Sequence, residues 1–286
     1  MDAITPPSSR FDGSAERSPR AGPAAIPAVR LEAFWARHAD EVRQAQRLRY
    51  QVFAEEMGAH LSPPPGSPPG LDIDRYDDVC EHLLVRTVDS GNAPGAVIGT
   101  YRVLTPAAAR LAGGLYSDTE FELHRLDALR PRMVELGRSC TAQGWRQGGV
   151  ILLLWSSLAE FTQRNGLDRV VGCASVPMRD GGRYAASLWH GLRHTRLVEP
   201  WLQAEPRLPL PVDELDGTLK VEPPALIKGF LRCGGRFLGA PAWDPEFGVA
   251  DLPMMLELKS AGRLSQAIFR RLSARNGHPL STSLQS

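Results

Sequence analysis

Apolar residues recur at helical spacing near the start of the chain and predict one or two helices over residues 31–57. Gly58 is a plausible stop signal for the last of these helices. Residues 61–70 contain five prolines and two glycines, so this stretch is predicted to be a loop. A helical segment therefore precedes a proline-rich loop, and an acidic stretch follows at residues 72–78.

The middle of the chain alternates between strand-like and helix-like patterns. The two strands that come first are separated by a turn and form a predicted hairpin. Strand and helix then alternate, which indicates an α/β sheet. The predicted strands span residues 82–88, 96–104, 132–140 and 169–175, and the predicted helices span residues 150–164 and 184–192.

The two ends of the chain differ from the middle in composition. Residues 1–29 are rich in proline and serine, which predicts a disordered extension. Residues 30–286 are predicted to form a single domain with a C-terminal extension from about residue 220. That extension is predicted to hold helices over 224–232 and 262–274 and a strand over 250–258. Arginines on the last helix could contact anionic lipid, but a helix packed on the domain with a basic outer face is favoured.

Composition excludes several classes of protein. The net charge is +1 and no long basic stripe is present, so no nucleic-acid partner is expected. The four cysteines lack metal-ligand spacing, so we expect no zinc site and no disulfide framework, and Cys140 and Cys173 are predicted to be buried. The most apolar run, beginning at Val150, is too short to span a bilayer. No signal peptide is recognised, and we expect a cytoplasmic protein with possible peripheral contact to the inner membrane.

One set of charged and aromatic residues could carry chemistry. Acidic members could hold a cationic amino acid and take a proton from its ammonium group. Alternatively, the set could be a structural network of ion pairs, because buried charges must be paired. Glu135 and Arg138 are three apart and face opposite sides of a regular strand, so only a β-bulge would bring them together. The set comprises Arg49, Phe53, Asp74, Asp77, Arg102, Glu135 and Arg138.

A glycine-rich turn precedes the helix predicted at residue 150. Backbone N–H groups at such a helix start suit a phosphate, although an ordinary capped turn explains the same pattern equally well. The candidate residues for holding a phosphate are Arg146, Gln147, Gly148 and Gly149. Further along, Lys228 and Asp251 could contact substrate or lie on the surface, and the surface is favoured.

Four short motifs occur in this chain in the same order and at similar spacing as in acyl-homoserine lactone synthases, and the chain resembles these enzymes. They are acyltransferases with the GNAT fold. The motifs are Leu48–Phe53, Asp74–Asp77, Arg102–Leu104 and Glu135–Arg138. The sequence is more similar to the ornithine N-acyltransferases of ornithine lipid synthesis, over roughly residues 40–260. That similarity is carried by Glu135–Cys140, Leu152–Trp155, Gly172–Ser175, Pro223–Gly229 and Ala250–Met255.

The resemblance implies a GNAT-like mixed central sheet flanked by helices and a definite reaction. A 3-hydroxyacyl chain would pass from acyl carrier protein to the α-amine of ornithine and give lyso-ornithine lipid. The phosphopantetheine thioester is then a co-substrate, and neither a metal nor another cofactor is expected.

The resemblance also assigns roles to residues. Glu135 is the candidate base, with Arg138 and Arg102 beside it, and backbone N–H groups around Ser139–Ala142 would stabilise the oxyanion. The acceptor side would comprise Arg49, Phe53, Asp74 and Asp77, and the phosphopantetheine would lie against residues 146–149. Two alternatives stay open: the acceptor could be S-adenosylmethionine, giving a lactone, or the chain could be a non-catalytic module that binds acyl carrier or lipid.

Overall fold

A computed structural model describes residues 29–146 and 148–258. Its centre is an eight-stranded mixed sheet in the order β1-β2-β3-β5-β6-β10-β8, with β9 paired to β10, and β4 and β7 form a separate two-stranded ribbon. The strands are β1 (Arg30–Trp35), β2 (Glu81–Val88), β3 (Pro94–Leu104), β4 (Phe121–Glu122), β5 (Met133–Thr141), β6 (Arg169–Pro177), β7 (Glu205–Pro206), β8 (Arg236–Phe237), β9 (Ala242–Asp244) and β10 (Val249–Glu257).

In the described part of the chain, five α-helices flank this sheet. The helices are α1 (Ala39–Tyr50), α2 (Pro106–Leu111), α3 (Gly149–Arg164), α4 (Arg183–Arg196) and α5 (Ala225–Arg232). A π-helical turn, Gln51–Glu56, continues α1. Within the described residues, no helix is long and apolar enough to cross a membrane.

The longer elements predicted over residues 82–258 are confirmed to within a few residues, and the four short strands β4, β7, β8 and β9 were not predicted. The predicted helix over 262–274 and nearly all of the predicted disordered extension lie outside the described residues. The chain beyond residue 220 contributes α5 and strands β8 to β10, and β10 pairs with β6 along its whole length.

The prediction of helix from residue 31 is wrong, because residues 30–35 form β1. β1 runs antiparallel to β2, with Trp35 opposite Leu83. A short apolar run fits either a helix or a strand, and here pairing with the edge of β2 decides between them. The helix begins only at Ala39, where the Glu41 carboxylate accepts a hydrogen bond from the Arg37 N–H at 2.7 Å.

The parallel strands β5 and β6 separate part-way along their length. They pair only from Met133 to Glu135 of β5. At the point where they separate, a Cβ on Gly172 would lie 2.3 Å from the carbonyl oxygen of Leu136, so only glycine allows this close approach. Beyond this point the edge of β5 that faces β6 has no strand partner among the described residues, and a wedge opens between the two strands.

A helix from the C-terminal part of the chain covers this wedge. Ile227 and Leu231 of α5 are buried in one hydrophobic cluster with Leu188 of α4. On its other side, Phe230 of α5 meets the Trp155 ring of α3 edge-on, with ring centroids 5.5 Å apart. The helix α5 is thereby fixed between α3 and α4, over the gap in the sheet.

Candidate active site

A cavity of about 650 Å³ occupies the wedge and continues past the sheet. One part is apolar and is lined by residues of α3 and α5, among them Leu152, Trp155 and Leu226. The other part is polar and contains both guanidinium and carboxylate groups. The polar lining includes Arg102, Ser117, Glu120, Glu135, Arg138, Cys173, Ser175, Asp244 and Asp251.

Beside the cavity lies a network of three arginines and three aspartates, which we call the arginine–aspartate network: Arg49, Arg102, Arg138, Asp72, Asp74 and Asp77. Arg49 is fully buried and bonds Asp72 at 2.8 Å and Asp77 at 2.7 Å. Arg102 bonds Asp74 at 2.6 Å and Asp77 at 3.1 Å. Charges balance within the network, which joins α1 and the acidic loop to the sheet.

The pairing within this network is strong enough to keep the Asp77 carboxylate ionised. Burial alone would raise the pKa of Asp77, but Arg49 and Arg102 outweigh burial and hold that pKa below its usual range. This arrangement corresponds to the structural interpretation of the charged residues. Of the four residues predicted to contact the acceptor, only Phe53 lines the cavity, where its ring meets that of Phe247 edge-on at 5.7 Å.

A β-bulge in β5 sets the direction of Arg138. Thr100 of β3 pairs with Cys140 and Arg102 with Gly137, so β5 contains one extra residue between these pairs. Arg138 has φ of +48°, which is unusual for a residue with a side chain. Its guanidinium lies over the rings of Tyr116 and Phe247, at 5.0 and 4.5 Å from the centroids. The bulge that the sequence required for Glu135 and Arg138 to share a face is therefore present, and both residues line the cavity.

Glu135 is deeply buried and holds the turn at Tyr116–Thr119. Its carboxylate accepts hydrogen bonds from the backbone N–H of Tyr116 at 2.6 Å and of Ser117 at 2.7 Å, and a third from the Ser117 hydroxyl. Burial raises the pKa of Glu135, and these hydrogen bonds offset part of the rise. The role of Glu135 as a base stays a prediction, and its contacts give it a positioning role for Tyr116 and Ser117.

Three further carboxyl groups converge on the polar part of the cavity, and we call them the carboxyl cluster: Glu120, Asp244 and Asp251. One oxygen of each lies within 4.8 Å of the others. Asp251 is 3% exposed and accepts a hydrogen bond from the Ser175 hydroxyl at 2.5 Å. Glu120 Oε2 is buried and has no hydrogen-bond partner among the described residues. No arginine, lysine or histidine in the described part of the chain forms an ion pair with the cluster.

Burial and the mutual repulsion of its charges make the carboxyl cluster bind protons tightly. Burial raises the pKa of Glu120, and Asp251 and Asp244 raise it further. Burial also raises the pKa of Asp251, although the hydrogen bond from Ser175 opposes the rise. Raised carboxyl pKa values in a cavity are typical of groups that exchange protons with a substrate. The cluster can therefore accept a proton, an ammonium group or a metal cation.

Cys173 lies beside the cluster, with its sulfur 3.4 Å from the Ser117 hydroxyl. Burial and the neighbouring carboxyl groups raise its pKa well above the usual value. The thiol therefore stays protonated, and it is poorly suited to be a nucleophile. Cys140 is buried as predicted, whereas Cys173 is only half-buried.

The N-terminus of α3 lies at another edge of the cavity. Gly148 precedes the helix with φ of +81°, and no side chain caps the helix. Arg146 is half-exposed and pairs with Glu56. Gly148 and Arg146 line the cavity, Gly149 begins the helix, and Gln147 lies outside the described residues. Free backbone N–H groups at this helix start can receive a phosphate.

Sequence reasoning missed most of the carboxyl cluster. Glu120 and Asp244 carried no motif, and Asp251 was expected on the surface, which is wrong because it is buried. The three residues meet only because β9 and β10 place Asp244 and Asp251 near the turn that contains Glu120. Lys228 does lie at the surface, where it pairs with Glu222 at 2.7 Å.

Fold and site together define an acyltransferase of the GNAT type. Residues 48–156 match the family model of the acetyltransferase (GNAT) domain. A CoA-dependent acyl-homoserine lactone synthase, BjaI, solved with S-adenosylmethionine and isopentyl-CoA, has a similar fold. The TM-score is 0.50 at 18% identity, covering 88% of this chain and 90% of that one.

Sequence similarity to curated proteins narrows the class to a family. The L-ornithine N(alpha)-acyltransferase of Rhizobium meliloti (strain 1021) is 35% identical over 245 residues, which cover 82% of each chain. The protein of the same name from Agrobacterium fabrum (strain C58 / ATCC 33970) is 36% identical over 248 residues, covering 82% of this chain and 83% of that one. The present chain belongs to this family of L-ornithine N(alpha)-acyltransferases and is an acyltransferase.

Proposed function

We propose that the protein transfers a 3-hydroxyacyl chain from an acyl carrier protein thioester to the α-amine of L-ornithine, giving lyso-ornithine lipid. One observation carries the proposal: a single cavity joins a polar end, lined by guanidinium and carboxylate groups, to an apolar channel. The polar end suits a zwitterionic, cationic amino acid, and the apolar channel suits an alkyl chain. The names of the relatives supply the acceptor.

Ornithine carries two ammonium groups and one carboxylate, and the polar end offers a partner for each type of charge. The carboxyl cluster forms no ion pair with a described arginine, lysine or histidine, so it would hold ammonium groups. The positive charge of Arg138 lowers the pKa of Asp251, and this guanidinium would bind the ornithine carboxylate. Buried groups that lack a partner in the free protein gain one when substrate binds, which favours the correct amino acid over an uncharged analogue.

The reaction requires a neutral amine. An ornithine ammonium would release one proton to the carboxyl cluster, and the resulting amine would attack the thioester carbonyl. The C–N bond forms, the C–S bond breaks, and a proton from the attacking nitrogen passes to the leaving thiolate. We assign the first proton transfer to Asp251, because its raised pKa lies closer to neutrality than that of an ordinary carboxyl group.

The thioester would enter at the start of α3. Its phosphate would lie on the free N–H groups there, near Arg146. Exposed arginines at this rim, Arg146 and Arg232, would attract an acidic carrier protein. The unpaired edge of β5 beyond Glu135 would supply N–H donors to the developing oxyanion.

We further propose peripheral contact with the inner membrane, since the product is a lipid, and flotation with anionic vesicles tests this contact.

The test is an incubation of the purified protein with 3-hydroxyacyl carrier protein and several acceptors, with products identified by mass spectrometry. The acceptors are ornithine, lysine, S-adenosylmethionine and norvaline, which has the carbon chain of ornithine without the δ-amine. We expect acylated ornithine, and at least about 100-fold less product from norvaline, because loss of a buried charge partner discriminates strongly.

Each other outcome has a definite meaning. Release of methylthioadenosine with a lactone would replace the proposal by the lactone-synthase alternative. No product from any acceptor, with binding of acyl carrier retained, would favour the non-catalytic module. Equal rates with ornithine and norvaline would leave the transferase but refute recognition of the δ-ammonium by the carboxyl cluster.

A further inference from the structure

The apolar part of the cavity runs between two helices. On α3 it is lined by Ile151, Leu152 and Trp155, which share one face of the helix. On the α5 side it is lined by Leu226 and Gly229, together with Ala225, Arg232 and Cys233, which directly follows the helix. The seven helical steps from Ala225 to Arg232 correspond to about 10 Å along the helix axis. The two helices therefore form opposite walls of a channel.

A glycine sets the distance between these walls. A Cβ on Gly229 would lie 2.4 Å from the indole ring of Trp155, so any other residue would push α5 away from α3. Phe230 packs on the same indole ring. The width of the channel thus depends on the contact between Gly229 and Trp155.

The channel ends where α5 meets the sheet. Leu226, Ile227 and Phe230 of α5 line a void of about 20 Å³ beside the point where β5 and β6 separate. The floor of this void includes Leu136 and Gly172. Its volume is about that of one water molecule and does not admit a further length of alkyl chain. Tyr101, Leu136, Cys173 and Leu226 line both the void and the channel, and Leu226 is the member of this set that α5 contributes, so Leu226 closes the inner end on the α5 side.

We propose that α5 determines which acyl chain lengths the enzyme accepts, with Leu226 closing the channel and Trp155 setting its width. The inference rests on the proposed acyl transfer. A donor with a chain longer than the channel must displace Leu226 or leave methylene groups in water. Each buried methylene contributes about 0.8 kcal/mol, so each one excluded costs about fourfold in affinity.

The experiment compares kcat/KM for a series of 3-hydroxyacyl carrier proteins of increasing chain length, with ornithine as acceptor. Leu226→Ala should extend the channel and raise the ratio of long-chain to short-chain kcat/KM by about tenfold. Leu226→Trp should block it and lower that ratio by at least about tenfold. Lys228→Ala is the matched control, because this side chain is on α5 but pairs with Glu222 outside the channel.

Results that overturn the inference differ from those that overturn the function. Two results would show that α5 does not select the chain length, provided that the wild type acylates ornithine. In the first, all Leu226 variants keep the chain-length profile of the wild type. In the second, they lose activity with all donors equally while their melting temperatures are unchanged. If the wild type acylates no acceptor, the proposed function itself fails. Trp155→Leu provides a second check should Leu226→Trp misfold: we expect a wider channel and a higher ratio for long or branched donors, and an unchanged ratio refutes the role of Trp155.

Discussion

Replacing Asp251 by asparagine should stabilise the protein while abolishing acyl transfer. Asp251 is 3% exposed, and burial raises its pKa to about 7. An ordinary aspartate has a pKa of about 3.9, and each pH unit between the two values corresponds to about 1.4 kcal/mol. The ionised carboxylate therefore costs the folded protein about 4 kcal/mol. Asparagine keeps the shape and can still accept the hydrogen bond from Ser175, but it carries no charge.

The gain in stability must depend on pH in one direction. Below about pH 4, aspartate is protonated in both the folded and the unfolded chain, so asparagine gives no advantage. As the pH rises towards 7, the unfolded chain ionises and the folded chain does not, so the free energy of unfolding of the wild type falls. Above pH 7 the difference is complete. We expect Asp251→Asn to raise the free energy of unfolding by about 1 kcal/mol at pH 5 and by about 2–4 kcal/mol at pH 8.

The assay is thermal and urea denaturation of both proteins at the two pH values, with and without ornithine. For a chain of this size the gain at pH 8 corresponds to a rise in melting temperature of roughly 5–10 °C. Ornithine should raise the melting temperature of the wild type but not of the variant, because its ammonium site is lost. Asp213→Asn is the control, since this aspartate is largely exposed and its replacement should change stability by less than about 0.5 kcal/mol. An unstable variant, an equal gain at both pH values, or retained activity would each refute the reasoning.

Three further predictions follow from the surrounding groups. Glu135→Gln should lower the free energy of unfolding by about 1–3 kcal/mol in urea titration, because an amide NH₂ would face the N–H donors of Ser117; an unchanged midpoint would contradict this. Arg49→Ala should cost about 3–5 kcal/mol in the same titration, since Asp72 and Asp77 would lose their partner, and a loss below about 1 kcal/mol would contradict the role of the network. Removal of divalent cations with EDTA should leave the initial rate unchanged, whereas a loss that Mg²⁺ restores would show that the carboxyl cluster binds a metal.

The fold could be predicted from sequence where the pattern covers a long element. The strand at 133–141 and the helix at 149–164 are local features with clear periodicity, and turn residues separate them. The strand β1 could not be predicted, because a run of six residues fits the period of a helix as well as that of a strand. Pairing with the edge of β2 makes this run a strand. The short strands β8 and β9 likewise depend on pairing with β10 and not on their own composition.

The site could be predicted only in part, for a related reason. Glu135 and Arg138 belong to one strand, so their spacing indicated that a bulge was needed, and the bulge is present. The carboxyl cluster joins residues 131 positions apart, from a turn and from two strands of the C-terminal part. No local pattern connects them, and an isolated aspartate among apolar residues carries no sign of its partners. Burial and proximity in the folded chain identify Asp251.

Two groups of carboxylates lie around one cavity. They differ in whether guanidinium groups pair with them, and this difference indicates different roles. In the arginine–aspartate network each carboxylate has a guanidinium within about 3.5 Å, so the group is neutral and stabilises the fold. In the carboxyl cluster no such partner is present among the described residues, so the folded protein bears an electrostatic cost that only a bound cation or proton removes. A residue kept at a cost to stability requires a reason outside the free protein. Binding and deprotonation of a diamino acid supply that reason. Removing the charge of Asp251 should therefore raise the free energy of unfolding of the protein and abolish its acyl transfer.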